Sequence, residues 1–187
     1  MKILFITPYQ PNLVRVRPFQ LLRHLSELGH KITLIYYDSP AEMIPGETLS
    51  SLCEDIYYFP LTKWRALANL LFALPSKKPL QAAYGFHPAM FNKINVLLTQ
   101  SSEPFDVIHI EHLRAAEFGT KLLEKVPGKT FPIVWDSVDS ITYLFSQASK
   151  QHPRWLGRKF LGFETARTAT YEPITASRLK NVLVTSS

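Results

Sequence analysis

The sequence predicts an α/β fold in which a parallel sheet lies between two layers of helices, and three observations carry that prediction. Six short segments rich in branched or aromatic residues (3–7, 31–37, 55–60, 106–110, 132–136 and 181–185) read as strands. These segments are almost continuously apolar, as strands covered on both faces are. Helical patterns separate most of them, and that alternation builds parallel sheets. With 187 residues, 46% of them apolar and 12% aromatic, the chain can bury a sizeable core and lies far from disordered compositions.

The elements follow in order. "KILFIT" is a buried strand, because its apolar run is short, a proline-containing loop follows it, and no small-residue cleavage site of a leader is present. Pro18 suits the first turn of a helix, where a missing N–H costs nothing and φ is already helical. Phe19, Leu22, Leu25 and Leu28 recur at helical spacing, and Gly29 ends that helix before the strand "HKITLIYY". Residues 61–104 hold two helical patterns, "LTKWRALANLLFAL" and "PAMFNKINVLLTQ", joined by the loop "PSKKPLQAAYGFH". Residues 139–178 are again helical, with a break at Pro153. The closing "KNVLVTSS" is a strand with nothing after it. A doubly wound sheet usually continues from such a strand, so residues 1–187 are expected to be one domain of a longer protein; the alternative is a single domain that ends on an edge strand.

A formal charge of +6, from 21 Lys and Arg against 15 Asp and Glu, points to an anionic partner: a phosphorylated small molecule, a membrane surface or nucleic acid. Nucleic acid is the weakest of these, since the basic residues are scattered and do not interleave with stacking aromatics. The lone Cys53 permits no internal disulfide and points to a reducing, cytoplasmic setting. No run approaches the ~20 apolar residues of a membrane span. The segment "TKWRALANLLFALPSKK" combines an apolar stripe and Trp64 with Lys63, Arg65, Lys77 and Lys78. It reads either as a helix lying on an anionic membrane at its inner face or as a core helix with a solvated basic side.

In open α/β sheets ligands bind beyond the carboxyl ends of the strands, where the strand order reverses. Three loops that follow strands are unusually polar, and all are expected on one rim. In the first, residues 7–17, Arg15 and Arg17 flank a helix N-terminus that attracts phosphate or carboxylate; the alternative is pairing of these arginines with acidic residues. The glycines of a dinucleotide fingerprint are absent, which argues against a nicotinamide-dependent oxidoreductase. In the second, "HIEHLRAAEF", His109 and Glu111 share one strand face and His112 enters the loop. The spacing of His109, Glu111 and His112 lacks the helical arrangement of zinc hydrolases, so no metal is expected; His109 reads as a satisfied strand-end histidine and His112 as a candidate for the crevice. In the third, "DSVDS", Asp136 ends a strand, where it can orient a sugar hydroxyl, accept a proton or stabilise positive charge at a reacting carbon. Asp139 can do the same or cap the helix beginning near Ser140.

Taken together, "ILFITPYQPNLVRVRPFQLLRHLSELGHKITLI", "PFDVIHIEHLRAAEFG", "FPIVWDSVDS" and "YEPITASRLKNVLVTSS" resemble, along the whole chain, the N-terminal domain of a two-domain GT-B glycosyltransferase. The resemblance is to the large retaining group often called family 4 or group 1, strongest to members associated with exopolysaccharide assembly. It implies a three-layer Rossmann-like domain that holds the acceptor, a glycan or a lipid-linked sugar. It also implies a nucleotide-sugar donor held mostly by a C-terminal domain, and transfer without a bound metal or other cofactor. On this reading Asp136 and His112 are catalytic, and Arg15, Arg17, His109, Glu111 and Asp139 hold the acceptor. The sequence departs from the family in two places: Asn12, Leu13 and Val14 stand where many relatives have paired glycines, and Asp136 stands where many have histidine. Glu164 and Glu172 have the eight-residue spacing of the family's glutamate motif, but that motif lies in the other domain; on a helix they point about 80° apart, so the match reads as coincidence.

Overall fold

Among the described residues the chain forms six strands, β1 (Lys2–Thr7), β2 (Lys31–Asp38), β3 (Asp55–Pro60), β4 (Val107–Glu111), β5 (Ile133–Val138) and β6 (Asn181–Val184). In this computed structural model, which describes residues 1–38, 47–125 and 131–184, they make one parallel sheet ordered β3-β2-β1-β4-β5-β6. The predicted strands are present, β3 with the expected ends and the others with ends displaced by at most two residues; residue 185, the expected end of the last, lies outside the described residues.

The helices are α1 (Val16–Glu27), α2 (Glu47–Ser50), α3 (Lys63–Ala73), α4 (Leu80–Tyr84), α5 (Pro88–Gln100), α6 (His112–Lys125), α7 (Ile141–Gln151) and α8 (Trp155–Leu179). Alternation along each strand sends side chains to two cores. Leu4, Ile6, Ile35, Ile108, Ile110 and Trp135 pack with Met90, Ile94, Phe118 and Leu122 of the helices on one face. Phe5, Ile32, Leu34 and Tyr36 pack with Phe19 and Leu22 of α1 on the other. The domain is therefore a three-layer, Rossmann-like α/β sandwich.

The end of α1 follows the sequence closely. Gly29 takes φ +77°, its N–H bonds the Ser26 carbonyl at 2.9 Å, and the N–H of His30 bonds that of Leu25 at 3.1 Å; this double closure needs a residue tolerant of the left-handed region. The loop between α3 and α5 contains a short helix, α4, that the sequence did not announce. It lies so close to β2 that a Cβ on Gly85 would sit 1.7 Å from the Tyr37 hydroxyl oxygen.

Residues 139–178 fold as α7 and α8, broken at Pro153. The cap of α7 is Ser140, whose hydroxyl accepts the Tyr143 N–H at 3.2 Å; Asp139 is exposed and does not cap. The reason lies one residue upstream. Val138 adopts φ +64° in a tight turn closed by the Asp139 N–H on the Ser137 carbonyl at 2.8 Å, and Asp139 leaves that turn exposed, one residue before the cap.

Helix α8 fastens its neighbours through side chains. Glu172 accepts the N–H groups of Ile141 (2.7 Å) and Thr142 (3.3 Å) at the start of α7, and Glu164 accepts those of Leu80 (2.9 Å) and Gln81 (3.5 Å) at the start of α4. Arg167 donates to the carbonyls of Ala73 and Leu74 at the end of α3 and of Lys78 in the loop that follows. The two glutamates are thus spaced to meet two helix N-termini, each of which leaves orphan donors that a carboxylate satisfies.

Helix α3 departs from the core-helix alternative. Thr62 caps it, but only Ala66 and Ala73 are buried, whereas Trp64 and Phe72 are 81% and 83% exposed. Among the described residues no helix is long and apolar enough to cross a membrane.

Candidate functional site

The sheet order reverses between β1 and β4, so the crevice opens above their carboxyl ends and that of β5. Pairing of Phe5 with His109, and of Glu111 with Asp136, puts all four side chains on the α1 face. The three polar loops meet there, as the strand-end argument requires.

Arg17, in the first turn of α1, forms a two-pronged pair with Asp136. Its Nη2 donates to Oδ2 at 2.8 Å and Oδ1 at 3.0 Å, and its Nε donates to Oδ2 at 3.2 Å. Oδ1 also accepts the Val138 N–H at 3.1 Å. Asp136 is 1% exposed and both its oxygens are engaged, whereas the Arg17 side chain is 41% exposed, so the pair presents its cationic side to the crevice. The pairing alternative considered for the arginines holds for Arg17. Arg15 instead stacks its guanidinium 4.7 Å from the Tyr9 ring.

Tyr9 donates its hydroxyl to Glu111 Oε1 at 2.8 Å. Nothing in the residue spacing had marked Tyr9; the available signal was an aromatic hydroxyl two residues past the end of the first strand. Thr7 donates to the Tyr9 carbonyl and fixes the loop beneath it. Glu111 itself is 1% exposed, and its Oε2 is buried with no hydrogen-bond partner among the described residues. Burial raises its pKa to about 7 against the Tyr9 hydrogen bond, with the nearby Asp136 charge adding to the rise and Arg17 opposing it. Near neutral pH this carboxyl therefore exchanges a proton readily.

The histidines lie differently from one another. His109 is buried against Phe5, ring centroids 4.2 Å apart, and desolvation lowers its pKa to about 4. Its Nε2 is buried with no hydrogen-bond partner among the described residues, so at that atom His109 is not the satisfied strand-end histidine that the sequence predicts. His112 adopts φ +67° where β4 turns into α6, and its Nδ1 accepts the Arg114 N–H at 3.2 Å. Burial, then the positive charges of Arg114 and Arg15, lower its pKa to about 4, which keeps it the neutral acceptor that this turn uses. Asp139 is exposed outside the cluster.

Two of the three non-glycine residues with positive φ among the described residues lie at the same rim; the third, Lys180, precedes β6. His112 and Val138, each just after or at the end of a strand, hold positive φ, and for β-branched Val138 that conformation is costly. Among the described residues no group of three or more His, Cys, Asp or Glu is placed to hold a metal ion.

No protein-family model matches the chain, and no curated protein matches its sequence. Two similar solved structures are the C-terminal domain of a hydrogenase from Pyrococcus furiosus and a protein named for an inferred epimerase activity from Burkholderia cenocepacia. The first is 18% identical, covers 72% of this chain and 89% of its own, and has a TM-score of 0.47. The second is 10% identical over 98% of this chain and 75% of its own, with a TM-score of 0.38. Neither likeness carries an argument about function, so the reading of this chain rests on the geometry of its own rim.

Proposed function

We propose that this chain is the acceptor-side domain of a retaining GT-B glycosyltransferase of family 4, which transfers a sugar from a nucleotide-sugar to a hydroxyl of a glycan or lipid-linked acceptor. The observation that carries the proposal is the Tyr9–Glu111 pair beside Arg17 at the strand-order reversal. In such a transfer the acceptor oxygen bonds the anomeric carbon, the bond from that carbon to the donor phosphate breaks, and the nucleoside diphosphate leaves. A group that takes the hydroxyl proton near neutral pH and a fixed cation facing the phosphate both assist. Glu111 supplies the first through its raised pKa and unpartnered oxygen, and Arg17, held rigid by Asp136, supplies the second. On this reading Asp136 acts through Arg17, His112 shapes the turn, and Glu111 is the catalytic residue. The donor is held by a further α/β domain encoded beyond Ser187.

The test is sugar transfer by the chain extended through whatever the gene encodes after Ser187. Glu111→Gln is expected to lower kcat by ~10²–10⁴-fold, the range for loss of a general base, with KM changed far less. Residues 1–187 alone are expected to transfer nothing. An unchanged kcat in Glu111→Gln, or a gene that encodes no second α/β domain, overturns the proposal.

A second reading, a non-catalytic module that adsorbs to an anionic membrane, is favoured by the exposed Trp64, Leu71 and Phe72 of α3 beside Lys63, Arg65 and Lys77. Sedimentation with vesicles of phosphatidylglycerol, but not of phosphatidylcholine, is its expected result. It replaces the first reading if the extended chain binds such vesicles and transfers no sugar.

A further inference from the structure

A cavity of about 430 Å³ lies between α3, α4, α6, α7 and α8, within the size range of small-molecule sites. Leu70, Leu80, Tyr84, Phe145 and Phe160 make most of its wall, and Phe160, 54% exposed, leaves it open to solvent. Three polar side chains also line it: Glu164, Gln81 and Arg114.

The polar groups do not neutralise one another. The Glu164 carboxylate is 1% exposed and already accepts the N–H groups of Leu80 and Gln81 at the start of α4. Arg114 projects from the first turn of α6, and among the described residues its guanidinium has neither a hydrogen-bond nor an ion-pair partner. One terminal atom of the Gln81 amide is buried without a partner; since oxygen and nitrogen of such a group exchange by a simple flip, it presents either a donor or an acceptor. A half-buried guanidinium against an apolar wall is costly unless an anion comes to it, and the wall asks for a hydrocarbon at the same time.

From this juxtaposition we infer that the cavity binds an anionic amphiphile, its phosphate or carboxylate headgroup on Arg114 and its hydrocarbon chain along Leu70, Leu80, Phe145 and Phe160. Arg114 also stands next to the rim, where its charge acts on Tyr9 and His112. The ligand class does not depend on sugar transfer. That the bound headgroup would bring a lipid-linked acceptor towards Glu111 does rest on the proposed function.

The experiment is titration of the 187-residue chain, below micelle-forming concentrations, with dodecyl phosphate, dodecanoate, 1-dodecanol and inorganic phosphate, followed by calorimetry. Dodecyl phosphate or dodecanoate is expected to bind at one site, whichever is tighter naming the headgroup, with the alcohol and inorganic phosphate each at least ~10-fold weaker. Arg114→Gln is expected to weaken the anionic ligand ~10-fold or more and leave the alcohol unchanged. Phe160→Ser, at an exposed position that the fold does not need, weakens all three alkyl ligands and serves if the arginine variant fails to fold. Double replacement of Trp64 and Phe72 by serine leaves the affinity unchanged. Equal affinity for alcohol and anion, no effect of either cavity variant, or loss of binding in the double variant overturns the inference. Amphiphile binding retained alongside a kcat unchanged by Glu111→Gln in the extended chain would sink the transfer reading alone; transfer without amphiphile binding would sink this one alone.

Discussion

The rim above β1, β4 and β5 and the flank built by α3, α7 and α8 handle polar and apolar groups in opposite ways. At the rim, carboxyl groups are buried: Asp136 at 1% exposure is clamped by Arg17 through both oxygens, and Glu111 at 1% is bound by Tyr9 through one. On the flank, apolar groups are exposed: Trp64, Phe72, Tyr143, Trp155, Leu156 and Phe160 are each more than half in solvent. The difference shows what each region contributes to folding. A buried ion that loses its partner destabilises the fold, so the rim is tied to stability. An apolar side chain left in water has contributed no burial, so the flank is surface that the fold does not consume and that a ligand or partner can use.

The largest expected effect tests the rim. Arg17→Met leaves Asp136 buried without its cation. Full burial of both partners would make this a loss of ~3–5 kcal/mol; with the Arg17 side chain 41% exposed, water screens part of it and a loss of about 2–3 kcal/mol in urea unfolding at pH 7 is expected. Adding Asp136→Leu should recover most of that loss, because the penalty is the unpaired charge rather than the missing contact. A loss below ~0.5 kcal/mol would put the rim on the same footing as an ordinary surface position.

A comparable effect, spread over pH, isolates Glu111. Its folded pKa of about 7 lies above the ordinary value of 4.5, so the stability it adds is present in full below pH 4.5 and fades as pH rises through about 7. His109 and His112, lowered to about 4, act in the opposite sense: they favour the fold above pH 6.5 and lose that contribution as pH falls towards 4. Glu111→Gln keeps both histidines. Its stability relative to the unmodified chain should therefore climb between pH 4.5 and 7 by ~3 kcal/mol, at ~1.4 kcal/mol per pH unit, and level off above. A pH-independent difference would mean that Glu111 titrates normally and would remove the rim's proton-exchanging group.

The smallest effect is expected on the flank. Replacing Trp64 and Phe72 by serine should change stability by no more than ~0.5 kcal/mol, read from the same urea transitions. A loss of several kcal/mol would show that α3 depends on those side chains, and the contrast between the two regions would collapse.

Much of this was legible in the sequence, for identifiable reasons. The strands announced themselves because a doubly covered sheet needs near-continuous apolar runs, and the end of α1 because Gly29 can hold φ +77°. Arg17, Glu111 and Asp136 were found because strand ends in such sheets converge on one rim. Their division of labour was not legible. That Asp136 has both oxygens engaged while Glu111 has one unpartnered depends on a pairing across 119 residues in the first case and a hydrogen bond across 102 in the second. Asp139 read as a possible cap of α7, but the cap is Ser140, one residue further on, after the turn that Val138 makes at positive φ. Arg114 escaped notice because nothing local says that an arginine in a helix's first turn will lack a partner.

The sequence by itself determined the layers of this protein: local periodicity dictates which segments become strands and helices, and burying their apolar sides leaves one α/β sandwich as the outcome. Only the tertiary structure decided which charged groups are neutralised and which remain open to a ligand. Periodicity acts between neighbours in the chain, whereas a charge is satisfied by whatever folding brings within about 3 Å of it, from any distance along the sequence.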